Sequence, residues 1–219
     1  MSSAKVGGTD SLTGALNYQT FLEEFDKRMV ESDKTERPLS LALVDIDFFE
    51  RMNDEHGREG GDEVLKAVTA HLEESAPEGS EVFRYAKDEF IVLMPGVEKE
   101  RAFLSLEQMR TAFDGEHDPA VSKEKGKVRL SLSVGIATYP DDGSKPQELI
   151  RKATDALYRA KMLGRNRVCL AREEKMVTKT SHYTQGQLER LAHLAKREGV
   201  GEAILLREGL DDLLRKYSL

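Results

Sequence analysis

The sequence predicts an α+β fold built on a β-α-β-β-α-β core, on three observations. The first is the apolar run "LSLALVDID", Leu39 to Asp47, which reads as a buried strand ending in acids. The second is "EVFRYAKDEFIVLMPG", Glu81 to Gly96, which reads as two strands joined by a tight acidic turn. The third is that stretches with helical spacing alternate with these strands. This order is the ferredoxin-like split arrangement, here with an added helix and strand and a small helical C-terminal segment.

Taken in order, residues 1–9 are expected to form a flexible start, and "TFLEEFDKRMVESDK" spaces Phe21, Phe25 and Met29 as a helix would. After the first strand, "GREGGDEVLKAVTAHLEES" puts Val64, Leu65, Val68 and Leu72 on one helical face. The hairpin follows, and "KERAFLSLEQMRTAF" reads as the second helix of the core. "KVRLSLSVGIATYP" is predicted to be one long strand, because Val128, Leu130, Leu132 and Val134 alternate with other residues. A helix over Lys145 to Leu163 and a strand "RVCLA" complete the domain, which is expected to span residues 10–172.

The hairpin turn raises a question of its own. Two-residue turns favour positive φ, which glycine reaches cheaply, yet this one carries Ala86 and Lys87.

Composition narrows the function classes. With 39% hydrophobic and 33% charged residues and no apolar run of bilayer length, membrane insertion is not expected. The start lacks the apolar core of a signal peptide, and the single cysteine, Cys169, has no internal partner, so a cytoplasmic setting is expected. A net charge of −7 argues against bulk attraction to nucleic acid.

Topology then locates candidate chemistry. A strand-helix-strand crossover sets the first two strands parallel, so the end of the first strand and the hairpin turn lie at one sheet edge. Asp45 is therefore expected near Asp88 and Glu89, a cluster of oxygen ligands suited to a magnesium ion that shares phosphate oxygens with its substrate. An acid that merely ends a strand or caps a helix explains Asp45 as well. Lys161 and Arg165, four residues apart, are expected on one helical face where they could hold phosphate, or simply form a solvated basic helix end. Asn53 and Asp62 can read a guanine edge, or serve as turn and helix-start residues.

Five stretches together carry a resemblance: "DSLTGALN", "VDIDFFERMNDEHGREGGDEVL", "FRYAKDEF", "SLSVGIATYPDDG" and "ATDALYRAKMLGRNRV". In order and distance they resemble the GGDEF domain, the diguanylate cyclase family, over about Asp10 to Leu170. The resemblance implies the palm-type version of the fold and the condensation of two GTP molecules into c-di-GMP across a dimer, each domain holding one GTP with magnesium or manganese. It implies Asp45, Asp88 and the Ile46 carbonyl as metal ligands, Asp88 and Glu89 as the acids of the signature, Asn53 and Asp62 at guanine, and Lys161 and Arg165 at the phosphates.

Three departures modify that implication. The signature glycines are replaced by Ala86 and Lys87, which should obstruct the nucleotide while leaving the acids in place. Glu50 stands where the family usually has a lysine, and Lys87 is expected to return that missing charge to the nucleotide site. The family's inhibitory Arg-x-x-Asp falls on "PEGS", Pro77 to Ser80, so c-di-GMP is not expected to bind there.

Residues 173–219 form a second expected unit. "MVTKTSHYT" followed by "QGQLERLAHLAKREG" and "EAILLREGLDDLLRKY" resembles a ribbon-helix-helix segment, which implies a homodimer and DNA contacts at Thr178, Thr180 and His182. Eight Lys/Arg against eight Asp/Glu in this stretch give it no basic excess, so a helical dimerisation tail explains it equally. Three functions stay open: a degenerate GGDEF signalling protein that binds a guanine nucleotide and informs its tail, a working diguanylate cyclase, and a DNA-binding regulator on a GGDEF scaffold.

Overall fold

The computed structural model describes residues 8–117, 128–172, 181–198 and 202–217. The chain divides into two compact units, Met1–Glu173 and Glu174–Leu219. In the first unit the order is α1 (Tyr18–Thr35), β1 (Leu39–Ile46), α2 (Phe49–Ser75), β2 (Glu81–Ala86), β3 (Glu89–Pro95), α3 (Lys99–Phe113), β4 (Gly115–His117), β5 (Val128–Leu130), β6 (Leu132–Tyr139), α4 (Pro146–Met162) and β7 (Arg167–Leu170). Five strands form one sheet in the order β2-β3-β1-β6-β7. The mixed α/β architecture follows the predicted class.

The central strand β1 is buried along its whole length and pairs antiparallel with β3 and β6. Alternation along it sends Ala42, Val44 and Ile46 into a core with α2 and α3, and Leu39, Leu41 and Leu43 into a second core with α1 and α4. Its one buried hydroxyl, Ser40, is satisfied by the Val97 carbonyl at 2.8 Å and by Thr138 Oγ1 at 2.8 Å. At β6, Gly135 allows the α4 backbone to approach, because a Cβ there would overlap main-chain atoms of Ala153 and Leu157.

Three expectations require correction. The predicted long strand is two strands, β5 and β6, divided at Ser131; β5 pairs with the unforeseen β4 in a separate small sheet. Side-chain alternation continues through that break, so periodicity carries no sign of it. The helix after β1 begins at Phe49, before the expected "GREGG" start, and kinks at Gly57, whose φ of 78° and ψ of 174° lie outside helical values. Finally, α4 ends at Met162, so Arg165 lies past the helix at a φ of 62° and shares no helical face with Lys161.

In the second unit, α5 (Gln185–Glu198) and α6 (Glu202–Lys216) occupy the two expected helical stretches. Leu188, Leu194, Leu206, Leu210, Leu213 and Tyr217 are all exposed. Thr178 and Thr180 lie outside the described residues, and His182 is exposed ahead of α5. Among the described residues, no helix is long and apolar enough to cross a membrane.

Candidate functional site

The end of β1 and the β2–β3 turn meet at one edge of the sheet, as the topology requires. Asp45 pairs in register with Glu89, and the Ile46 N–H donates to the Asp88 carbonyl at 3.4 Å. From the last turn of α4, Lys161 Nζ donates to Asp45 Oδ2 at 2.6 Å. These residues line an open cleft of about 610 Å³ with Arg165, Lys87 and Glu50. That size suits a nucleotide-sized ligand.

Asp45 is only 5% exposed. Burial pushes its carboxyl up to about 6; Lys161 opposes that rise, and the nearby Asp88 and Glu89 charges add to it. The Asp88 and Glu89 charges beside a buried Asp45 make the negative charge there costly, and a cation would relieve it.

The turn itself answers the question raised by its sequence. Ala86 belongs to β2 and the turn is Lys87 and Asp88, neither of which is among the described non-glycine residues at positive φ (Glu36, Phe48, Arg165 and Asn166), so the chain reverses without left-handed backbone. A register shift between Arg84 and Ala86 puts an irregularity immediately ahead of the turn. Arg84 then grips the turn: its Nε and Nη2 donate to the Lys87 carbonyl at 3.2 and 2.7 Å, and its Nη1 donates to Asp10 Oδ1 at 2.9 Å. Burial pushes the Asp10 carboxyl up, but the Thr13 N–H, the Arg84 guanidinium and the Thr13 hydroxyl outweigh it and hold Asp10 below the usual carboxylate range.

Because that pKa is lowered in the folded state, Asp10 stabilises the domain above the ordinary carboxylate range and ceases to do so as pH falls through its folded value. Arg84→Ala is expected to lower unfolding free energy by about 1–3 kcal/mol, through loss of charge-assisted hydrogen bonds. Urea titration at pH 7 measures this, and the difference from wild type should shrink in acid.

The two expected guanine residues occupy separate halves of α2. Asn53 and Asp62 are nine residues apart, which on a straight helix is about two and a half turns and opposite faces. The kink at Gly57 removes that geometry. Asn53 lies against Gly61, where a Cβ would overlap its Oδ1 and crowd the Phe49 ring at 3.4 Å. Asn53 is thereby brought beside the segment that carries Asp62. Neither residue lines the acidic cleft.

Sequence reasoning missed several residues that shape the site. Asp47 is 3% exposed and accepts from Ser131 Oγ at 2.7 Å, Ser133 Oγ at 2.7 Å and the Asn166 N–H at 3.0 Å. Phe48 adopts a φ of 60°, which costs a non-glycine residue about 1–2 kcal/mol, and remains exposed. The second acid of Asp-Ile-Asp was the available signal for Asp47; Phe48 and Gly61 had none outside the motif that contains them.

Among the described residues, no three His, Cys, Asp or Glu side chains lie together closely enough to hold a metal unaided. Two carboxylates and a main-chain carbonyl nevertheless fit a hard cation that completes its shell with water and phosphate oxygens. Asp45, Asp88 and the Ile46 carbonyl are the groups that would hold it.

The family model described as diguanylate cyclase, GGDEF domain, matches residues 8–167. The chain is 35% identical over 162 residues to diguanylate cyclase DgcM of Escherichia coli K12, covering 74% of this chain and 38% of that protein. It is 30% identical over 166 residues to the response regulator PleD of Caulobacter vibrioides, covering 76% of this chain and 36% of that one. The chain thus spans well under half the length of these curated relatives. The GGDEF domain of TpbB (YfiN) from Pseudomonas aeruginosa superposes with a TM-score of 0.70 at 26% identity, covering 75% of this chain and 95% of that one. The GGDEF domain of DgcB from Caulobacter crescentus, solved with c-di-GMP, gives 0.69 at 27% identity, covering 78% and 98%.

Proposed function

We propose, from the premise that this chain belongs to the GGDEF family of diguanylate cyclase domains, that its first unit binds GTP or a related guanine nucleotide with magnesium or manganese and makes little or no c-di-GMP. One observation carries this reading: the cleft keeps Asp45, Asp88, Glu89 and Lys161 while Ala86 and Lys87 occupy its rim where the signature has two glycines. A bound divalent ion would neutralise phosphate charge there. Lys161 and Arg165 hold the phosphates, and Lys161 must give up Asp45 to do so. Asn53 and Asp62 hold the guanine. Glu50 repels the polyanion, and Lys87, which lines the same cleft, offsets it.

The nucleotide-bound state passes to the second unit. The exposed leucines of α5 and α6 favour pairing with a second copy, and a unit of this length buries little core alone. A dimer also raises the effective concentration of two nucleotide sites. Thr178, Thr180 and His182 remain the candidate DNA contacts of the regulator reading, and a salt-sensitive DNA complex formed without nucleotide would favour it. "PEGS" at Pro77 to Ser80 has neither the arginine nor the aspartate for c-di-GMP at the inhibitory position, and the setting is cytoplasmic.

The intact Asp88-Glu89-Phe90 favours the second reading, a working cyclase. Incubation of the full chain with GTP and magnesium or manganese, with c-di-GMP followed by chromatography and GTP by equilibrium binding, separates the readings. Bound GTP without product is expected, and binding should fall at least tenfold in Asp88→Ala. Product that vanishes in Asp88→Ala would establish the cyclase instead.

A further inference from the structure

Among the described residues, four non-glycine residues have positive φ, and three of them, Phe48, Arg165 and Asn166, lie at two adjoining contacts. The Phe48 ring, at the exit of β1, carries the Arg165 guanidinium over its face at 4.5 Å from the centroid. The residues beside them are joined too, since the Asn166 N–H donates to Asp47 Oδ2 at 3.0 Å. Consecutive residues 47 and 48 thus clasp consecutive residues 165 and 166. Asn166 is further pinned by Arg110 Nη1 on its Oδ1 at 2.6 Å and through its Nδ2 to Asp114 Oδ2 at 2.8 Å. Asp47 is pinned by the hydroxyls of Ser131 and Ser133.

Local sequence preference explains none of this. Phe48 precedes α2 without supplying a side-chain cap, and the residue is 61% exposed, so neither capping nor core burial accounts for its left-handed backbone. Backbone strain sustained by surrounding contacts at a cleft points to function. Arg165, beyond the end of α4, has no helix to aim it; its direction comes from the turn and from the ring beneath it.

We infer that Phe48 is a positioning residue for phosphate recognition: held left-handed beside the anchored Asp47, it forms a platform that keeps the Arg165 guanidinium aimed into the acidic cleft. This rests on the reading of Arg165 as a phosphate ligand. An arginine whose direction is set before binding loses less freedom on meeting phosphate. Stacking on an aromatic face leaves the guanidinium edge, with its donors, free for oxygen ligands.

The test uses calorimetric titration of the full-length protein with GMP, GDP and GTP in magnesium. Phe48→Leu and Phe48→Gly are expected to weaken GTP binding about two- to fivefold, with a smaller loss for GDP and the smallest for GMP, and Phe48→Trp to restore it. Phe48→Gly also relieves the left-handed backbone, so its melting temperature should hold or rise while the phosphate-dependent affinity falls, which a purely structural role would not produce. In an Arg165→Ala background, Phe48→Leu should have no further effect.

Equal losses for all three nucleotides, or a loss that persists without Arg165, would overturn the inference. If the wild type binds none of the nucleotides, the reading of the cleft fails and the phosphate role with it. The clasp is then judged alone: the Arg165 Nε–H resonance of the ligand-free protein should be displaced by the Phe48 ring and lose that displacement in Phe48→Leu. An undisplaced resonance refutes the clasp.

Discussion

Replacing Ala86 and Lys87 by glycine, together with Glu50→Lys, is expected to raise c-di-GMP formation from GTP by about a hundredfold over wild type. The three positions line one cleft with Asp45, Asp88 and Lys161, so a nucleotide held there would meet all three. The glycines remove a Cβ and a long cationic chain from the rim, and a misplacement of about 1 Å between reacting groups costs about that factor. Glu50→Lys returns the positive charge that Lys87→Gly takes away. The single variants separate these effects. Lys87→Gly alone should weaken GTP binding, and adding Glu50→Lys should recover it; independent effects would show that the two side chains do not compensate. Arg84 remains in all variants, and its hydrogen bonds to the residue 87 carbonyl are main-chain contacts that glycine preserves. A triple variant that binds GTP tightly yet makes no product would place the block away from the turn.

The second large effect is expected at Gly61. Helix preference alone predicts that Gly61→Ala stabilises α2 by up to about 1 kcal/mol. The structure predicts the opposite sign, because the new Cβ overlaps Asn53 Oδ1 and crowds the Phe49 ring. Overpacking of this kind costs about 1–3 kcal/mol, and the Asn53 amide must leave its place. GTP affinity is therefore expected to fall about tenfold, with the preference for GTP over ATP largely lost. Asn53→Ala removes the obstacle, so the double variant should be more stable than Gly61→Ala alone, a coupling that a double-mutant cycle measures. Gly61→Ala with unchanged stability and unchanged base preference would refute the placement of Asn53.

These predictions rest unequally on what could be read in advance. The core strand was legible because Leu39 to Ile46 is buried on both faces and so is apolar almost throughout. The approach of Asp45 to Asp88 and Glu89 was legible because strand direction alone places a strand end beside a hairpin turn. The first half of α2 was hidden, since "ERMNDEH" has only Met52 as a buried position and Gly57 interrupts the period. The supposed pairing of Lys161 with Arg165 on a helical face failed because helix periodicity says nothing about where a helix ends. The turn at Lys87 and Asp88 needs no glycine because neither residue has positive φ, and the register shift just before it has no mark in the sequence.

The sequence by itself determined the order of the main-sheet strands and of the helices between them, the sheet edge where the acids gather, and the residue types able to hold a metal and phosphate. Those follow from period, apolar content and chain direction, which are local or nearly so. Only the tertiary structure decided that Asp47 ties β6 to the turn after α4, that Phe48 lies beneath Arg165, that Arg84 holds the turn through Asp10, and that Gly61 makes room for Asn53. Each of these contacts joins residues through a hydrogen bond, a ring face or a missing methyl group. Such contacts depend on positions set to within about an ångström by the packing of the whole domain, and no pattern along the chain records them.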